Sequence, residues 1–159
     1  MKLLESDFAR NCLVEAIIRA RGKHPFRVWA YVFMPEHVHL LLWPTGPKYS
    51  ISAILKSIKQ SVARRVILDL QKENPDDLRT LATGRDDCPF RFWQEGPGYD
   101  RNIYEFTTLR NSIDYIHANP VRRRLVKRPL EWLWSSARFG GDGSNDVPVS
   151  VDAESFPVR

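Results

Sequence analysis

The chain has 159 residues, of which 43% are hydrophobic and 27% charged, with a net charge of +5. That length and balance suit a single globular domain with a real core. No apolar run approaches the ~18 residues of a membrane helix, and acids interrupt the opening Met-Lys-Leu-Leu-Glu-Ser-Asp at once, so neither a membrane span nor a signal peptide is expected. Cys12 and Cys88 have neither metal-type nor redox-type spacing. They read as free thiols in a reducing, cytoplasmic setting. The charge is unevenly placed: residues 142–159 carry a net −3, which leaves the other 141 at +8. A basic body points toward a polyanion, most often nucleic acid, although such a charge also serves solubility alone.

Residues 5–22 read as a helix, with Phe8, Leu13, Val14, Ile17 and Ile18 apolar, Ser6 or Asp7 as cap and Gly22 as its end. Residues 26–34 are aromatic and β-branched and predict a strand, apolar on both faces. Met34-Pro35-Glu36 makes a turn into a second strand, 37–43, so that the pair forms an antiparallel hairpin. Here His37 and His39 fall two apart, on one strand face and about 7 Å apart along it. Val38, Leu40 and Leu42 point the other way, into a core.

Ser50 caps a long helix over 51–72, whose buried stripe is Ile51, Ile54, Leu55, Ile58, Val62 and Val66. Lys56, Lys59, Gln60 and Arg64 share another face, as solvated surface or as a rail for phosphates. Residues 73–89 read as loop, Phe90–Trp93 as a short strand, and Gln94–Asp100 as a second loop. Asn102 and Glu105 have capping-box spacing and open a helix to about 118, which Pro120 stops. Its core stripe is Ile103, Phe106, Leu109, Ile113 and Ile116. Beside it runs a polar and aromatic stripe: Tyr104, Thr108, Asn111, Tyr115, Asn119. Five basic residues follow within eight: Arg122, Arg123, Arg124, Lys127 and Arg128. Trp132 and Trp134 are expected to pack on the body. The expected division is a domain over 1–140 and a flexible acidic tail over 141–159.

Tyr115 and Asn119 are neighbours on one helix face. Separately, each has an ordinary explanation: a boundary tyrosine, and a helix stop before proline. Together with the histidine strand they acquire a chemistry. Two neutral imidazoles and an amide oxygen supply three ligands to a divalent cation, with open positions for a phosphate. Tyr115 could then attack phosphorus and store the phosphodiester energy as a covalent intermediate. An unrelated metallohydrolase would need further ligands, and the remaining histidines, His24 and His117, are not well placed for that from sequence.

His37-Val38-His39 after Met-Pro, then Tyr115-Ile-His-Ala-Asn-Pro-Val121 and Trp134-Ser-Ser136, resemble the REP-associated tyrosine transposases of the single-tyrosine HUH superfamily. Phe92-Trp-Gln94 and Tyr99-Asp100 resemble the family's connecting region, and the likeness runs over roughly 5–140. It implies an α+β, ferredoxin-like fold, with an antiparallel sheet and helices packed on one face. It also implies that His37 and His39 are metal ligands, that Asn119 is a third polar ligand, and that Tyr115 is the nucleophile. Mg2+ or Mn2+ is the expected cofactor. Single-stranded or hairpin DNA is the expected partner of a monomer or homodimer, and Lys56, Lys59, Arg64 and the basic run 122–128 are the expected DNA contacts. Family members cleave and rejoin single-stranded DNA beside hairpins, leaving a 5′-phosphotyrosine and a free 3′-hydroxyl. Two departures stand out. The chain starts at about the family's first helix, so the family's first strand is expected to be missing or its place filled by another chain. Glu36 stands where Asn or Asp is more usual. A catalytically inactive hairpin-binding protein is the alternative: the missing strand argues for it, and the intact His37, His39, Tyr115 and Asn119 argue against it.

Overall fold

The computed structural model describes residues 3–94, 100–141 and 145–157. The order is α1 (Asp7–Lys23), β1 (Phe26–Phe33), β2 (Val38–Pro44), α2 (Ile51–Glu73), α3 (Pro75–Arg79) and α4 (Phe106–Arg122). Three short 3-10 turns follow, at Pro129–Glu131, Ser136–Arg138 and Ala153–Ser155. The architecture is α+β, with one antiparallel two-stranded sheet among the described residues.

Local chemistry sets the boundaries. The Ser6 hydroxyl accepts the Ala9 N–H and opens α1; the Ser50 hydroxyl accepts the Ala53 N–H and opens α2. β1 and β2 pair from Phe26↔Pro44 to Phe33↔Val38, with a bulge at Trp29. The extra residue shifts the alternation of β1. Phe26, Val28, Tyr31 and Phe33 therefore face one side, while Ala30, Val32 and Met34 face the other.

That shift creates two cores. On the first side, α1 (Leu13, Ile17, Ala20) and α2 (Ile54, Ile58, Val62, Val66) cover the sheet, joined by Val38, Leu40 and Leu42 of β2. Each fully buried side chain of this kind contributes about 1.5–3 kcal/mol. On the second side, Ile113 and Ile116 of α4 seat on Ala30, Val32, Met34 and Leu41. The layering is thus finer than helices on one face: α1 and α2 take one face, and α4 takes the other.

Three sequence expectations need correction. Residues 75–79 are helical, because the Asn74 side chain caps Asp77 N–H and Pro75 sits in the first turn, where a missing N–H costs nothing. Phe90–Trp93 is not a regular strand and keeps a single bridge, Ala82↔Phe90. Helix α4 starts at Phe106, later than expected, and Glu105 makes no side-chain cap. It also runs through Pro120 to Arg122. The proline sits in the last turn, where its fixed φ fits the helix and only one hydrogen bond is lost. The real stop is Arg124 at φ 58. Its N–H bonds to Val121 O and the Leu125 N–H to Pro120 O, a Schellman closure with arginine where glycine is usual.

The expected flexible tail gives way to a packed strap over 145–157. Val149 is fully buried, and its N–H donates to the Tyr31 hydroxyl at 3.0 Å. Burial pushes that hydroxyl up to about 12, so it stays neutral. Asp152 accepts two bonds from Arg21, at 2.8 and 2.9 Å, and one from the Val28 N–H at 2.8 Å. Its own N–H donates to Val28 O. Together with the Phe33 N–H bond to Trp134 O, the strap covers the outer edge of β1. Residues 95–99 of the second expected loop, and 142–144 at the glycine-rich start of the tail, lie outside the described residues.

Candidate active site

An open cleft of about 460 Å³ lies at the junction of β2 and the C-terminal half of α4, lined by His37, His39, Tyr115, Asn119, Arg122 and Arg123. His39 lies on β2; His37 lies one residue before it, closing the turn through the Met34 N–H bond to His37 O. Their ring centroids are 4.8 Å apart, nearer than strand spacing alone allows, and meet edge to face. The Tyr115 ring lies 5.6 Å from His39. Its outer face is covered by the Arg122 guanidinium, 5.0 Å from the ring centroid. This cation–π contact holds the Arg122 guanidinium beside the tyrosine, at the mouth of the cleft.

Burial, and then the neighbouring His37, push the His39 imidazole below its ordinary range. A neutral ring keeps a lone pair for a metal at neutral pH. Asn119 is buried, and its Nδ2 has no hydrogen-bond partner among the described residues. An amide flip would put its oxygen there instead, so it brings spare bonding capacity to the cleft wall. No group of three or more His, Cys, Asp or Glu gathers among the described residues. The donors lining the cleft are two imidazoles and one amide, with the Glu36 carboxylate, paired to Arg123, 3.7 Å from His37 Nδ1. Such a set supplies part of the shell of a divalent cation, which water or phosphate oxygens would have to complete.

Two features of the cleft were not foreseen. Glu36 accepts an ion pair from Arg123 at 3.0 Å and stands 3.7 Å from His37 Nδ1. The turn carboxylate thus holds a rim cation against the histidine strand. His117, two residues past the tyrosine, turns inward. Its Nε2 lies 2.8 Å from Ser136 Oγ, which also accepts the Tyr31 N–H at 2.8 Å. Burial holds His117 below its ordinary range. The Trp-Ser-Ser motif therefore braces α4 against β1. Ending the helix at Pro120 is what hid Arg122, which falls seven residues after Tyr115 on the same face once the helix continues.

The other expected DNA contacts are scattered. Of the basic run, Arg122 and Arg123 reach the cleft rim. Arg124, Lys127 and Arg128 are exposed beyond the helix end, where Arg128 bonds Glu131. Lys56, Lys59 and Arg64 ride on α2, which packs on the opposite face of the sheet from the cleft. Arg64 lines a separate groove of about 620 Å³ with Arg19, Lys23 and Arg65.

The family described as "Transposase IS200 like" matches residues 1–119. The chain belongs to this family. It is similar to a REP-associated tyrosine transposase of Escherichia coli (strain K12), with 29% identity over 126 residues that cover 78% of this chain and 62% of that protein. The chain spans about three-fifths of the length of the curated relatives it matches. A solved REP-associated tyrosine transposase bound to a REP hairpin has the same fold, with a TM-score of 0.66 at 23% identity, covering 89% of this chain and 72% of that one. The likeness to REP-associated transposases read from the motifs is thus borne out. No helix among the described residues is long and apolar enough to cross a membrane.

Proposed function

We propose that this transposase-family chain cleaves and rejoins single-stranded DNA beside hairpin or palindromic sequences, through a 5′-phosphotyrosine at Tyr115. One observation carries the reading: the Tyr115 ring packs 5.6 Å from His39, in a single cleft with His37, Asn119 and two arginines. The Tyr115 oxygen forms a bond to phosphorus as the bond from phosphorus to the upstream 3′-oxygen breaks. The tyrosyl proton goes to solvent, which reaches this side chain, and the leaving 3′-oxygen takes a proton back. Attack by a 3′-hydroxyl reverses the step, so rejoining needs no nucleotide cofactor. His37, His39 and Asn119 would hold the divalent cation, Mg2+ or Mn2+, which when bound polarises the scissile phosphate and offsets its developing charge. Arg122, held over the Tyr115 ring, and Arg123, once released from Glu36, are the cleft cations that would take a phosphate. Arg124, Lys127 and Arg128 extend the positive field beyond the cleft, and Lys56, Lys59 and Arg64 offer a separate phosphate contact on the far face.

The test is a labelled hairpin oligonucleotide with an unpaired flank, incubated with the protein and Mg2+ or Mn2+. A covalent protein–DNA adduct that survives denaturant is expected. It should vanish in Tyr115→Phe and under chelator, while the Phe variant keeps its hairpin affinity. Adduct formation by Tyr115→Phe at the wild-type rate would overturn Tyr115 as nucleophile. Hairpin binding without any adduct from the wild-type chain would mark a hairpin-binding protein that does not cleave.

A further inference from the structure

Four positions of one strand row face α4: His37, His39, Leu41 and Trp43, each two residues from the next. The first two belong to the cleft, Leu41 packs under α4, and Trp43 ends the row about 13 Å beyond His39 by strand rise. α4 packs chiefly over β1, which leaves this end of the β2 row uncovered. Trp43 is 50% exposed, though its ring is held on one side. It stacks on Trp29 with centroids 5.3 Å apart and planes 13° from parallel. Trp29 is itself immobilised: its Nε1–H donates to Ser155 Oγ at 2.9 Å, and Phe156 packs edge-on against it. One face of the Trp43 indole is thus backed by a fixed ring, and the other is open to solvent.

A cation stands beside it. Arg27 is the direct cross-strand partner of Trp43, so the two side chains project on the same face of the hairpin. Arg27 is half-exposed, and its single contact to Asp152 is long, at 3.4 Å, because Asp152 is already doubly bonded to Arg21. Among the described residues that is the one hydrogen bond of a guanidinium whose side chain is 51% exposed, so donors are left over for a ligand.

A fixed aromatic plate with one free face, next to a cation with spare donors, has the composition of a nucleotide subsite: the base stacks and the phosphate pairs. We propose that Trp43 and Arg27 bind one unpaired nucleotide of the strand whose phosphate lies at Tyr115. The occupant follows from the row itself, since a strand drawn along β2 from the histidines meets Trp43 next. Duplex DNA does not fit this chemistry, because its bases are stacked on one another and offer no face. The proposal rests on the single-strand reading above and deepens it. It places the grip on the unpaired flank on the strand row, away from the basic run.

The experiment compares the full chain and three variants on two DNAs: a bare hairpin, and the same hairpin with an unpaired flank. Trp43→Leu, which keeps apolar cover over Trp29 but removes the π face, should lose on the order of tenfold in affinity for the flanked hairpin and nothing for the bare one. Trp43→Phe should recover part of that loss. Arg27→Gln should reduce the salt slope on the flanked hairpin alone, by about one. Wild-type tryptophan fluorescence should quench on adding the flanked hairpin, and the quench should disappear in Trp43→Phe, which reports stacking even if the leucine variant folds poorly. Equal affinities of wild type and Trp43→Leu for the flanked hairpin, or the same quench in Trp43→Phe as in wild type, would overturn the subsite while leaving the cleavage reading intact. A wild-type chain that binds neither DNA would overturn both.

Discussion

Ser136→Ala should be one of the most damaging small substitutions in this protein. The Ser136 hydroxyl has one proton and two lone pairs. It accepts the Tyr31 N–H at 2.8 Å, lies 3.2 Å from Tyr31 O, and meets His117 Nε2 at 2.8 Å. If its proton goes to Tyr31 O, all three contacts are satisfied only when His117 carries its hydrogen on Nε2. Alanine leaves Tyr31 O with Ser135 Oγ at 3.4 Å but orphans two donors, the fully buried Tyr31 N–H and the part-buried His117 Nε2–H. A buried unsatisfied donor costs about 1–3 kcal/mol, and the histidine share is smaller because water can approach it. The sum is about 2–4 kcal/mol, which for a chain of this size lowers Tm by roughly 5–15 °C. Thermal and urea unfolding of wild type, Ser136→Ala and Ser136→Thr measure it, with threonine retaining most of the stability through its hydroxyl. The loss should extend to adduct formation at temperatures where the variant is still folded, because α4 carries Tyr115. A Tm within about 2 °C of wild type would refute the reasoning, since it would mean that water replaces the serine at no cost.

Asp152→Ala removes the carboxylate that binds Arg21 twice and Val28 N–H once while only 14% of its side chain is exposed. It should cost about 2–4 kcal/mol and open residues 145–157 to proteolysis, with Asp152→Asn in between, read by melting and by digestion. Acid should destabilise the fold through His39 and His117. Both are held below the ordinary value of 6.5, so the unfolded chain binds more protons below that pH. Their contribution is complete above about pH 6.5 and is lost as the pH falls from there toward the depressed folded values; a urea-melt series should show His117→Gln with a shallower decline. Arg124→Gly should raise stability by about 1 kcal/mol by relieving the positive φ. Replacing Arg122, Arg123 and Lys127 with Ala should instead flatten the salt dependence of DNA binding by up to about one unit of slope per lost phosphate contact. An unchanged slope would make the basic run solvated surface.

The parts of the fold legible from sequence were those set by local chemistry. The Ser6 and Ser50 caps, the α2 stripe and the outward parity of His37 and His39 against Val38, Leu40 and Leu42 all follow from side chains a few residues apart. The pairing of Tyr115 with His39 was legible only as a juxtaposition of motifs, because the distance between them depends on how α4 seats on Ala30, Val32 and Met34. That seating depends on the bulge at Trp29, and nothing in a run of apolar strand residues marks which one will be doubled. The His117 brace was missed because a histidine inside a helix looks like a ligand without partners until a serine 19 residues later is folded beneath it.

The acidic end shows why composition misled. Asp, Glu and Gly near a terminus raise the expectation of a solvated tail because each charge is counted as if it had to reach water. Asp152 does not reach it: two guanidinium bonds and a backbone N–H replace its hydration, and Val149 and Phe156 on either side bury apolar surface against Tyr31 and Trp29. Anchors of this kind, bound to the body and not to one another, offset part of the entropy of ordering the segment. The same anchoring changes the electrostatics. Asp152 is neutralised against Arg21 and Arg27 on its own side of the molecule, so the strap does not lie as a loose acidic competitor over the Tyr115 cleft. What stands against the cations of that cleft is instead one carboxylate, Glu36, already paired to Arg123. An anion that is to use Arg123 must first displace that contact, so Glu36→Gln should leave Arg123 unpaired and strengthen binding of a flanked hairpin at low salt; unchanged affinity would show that the ion pair does not compete.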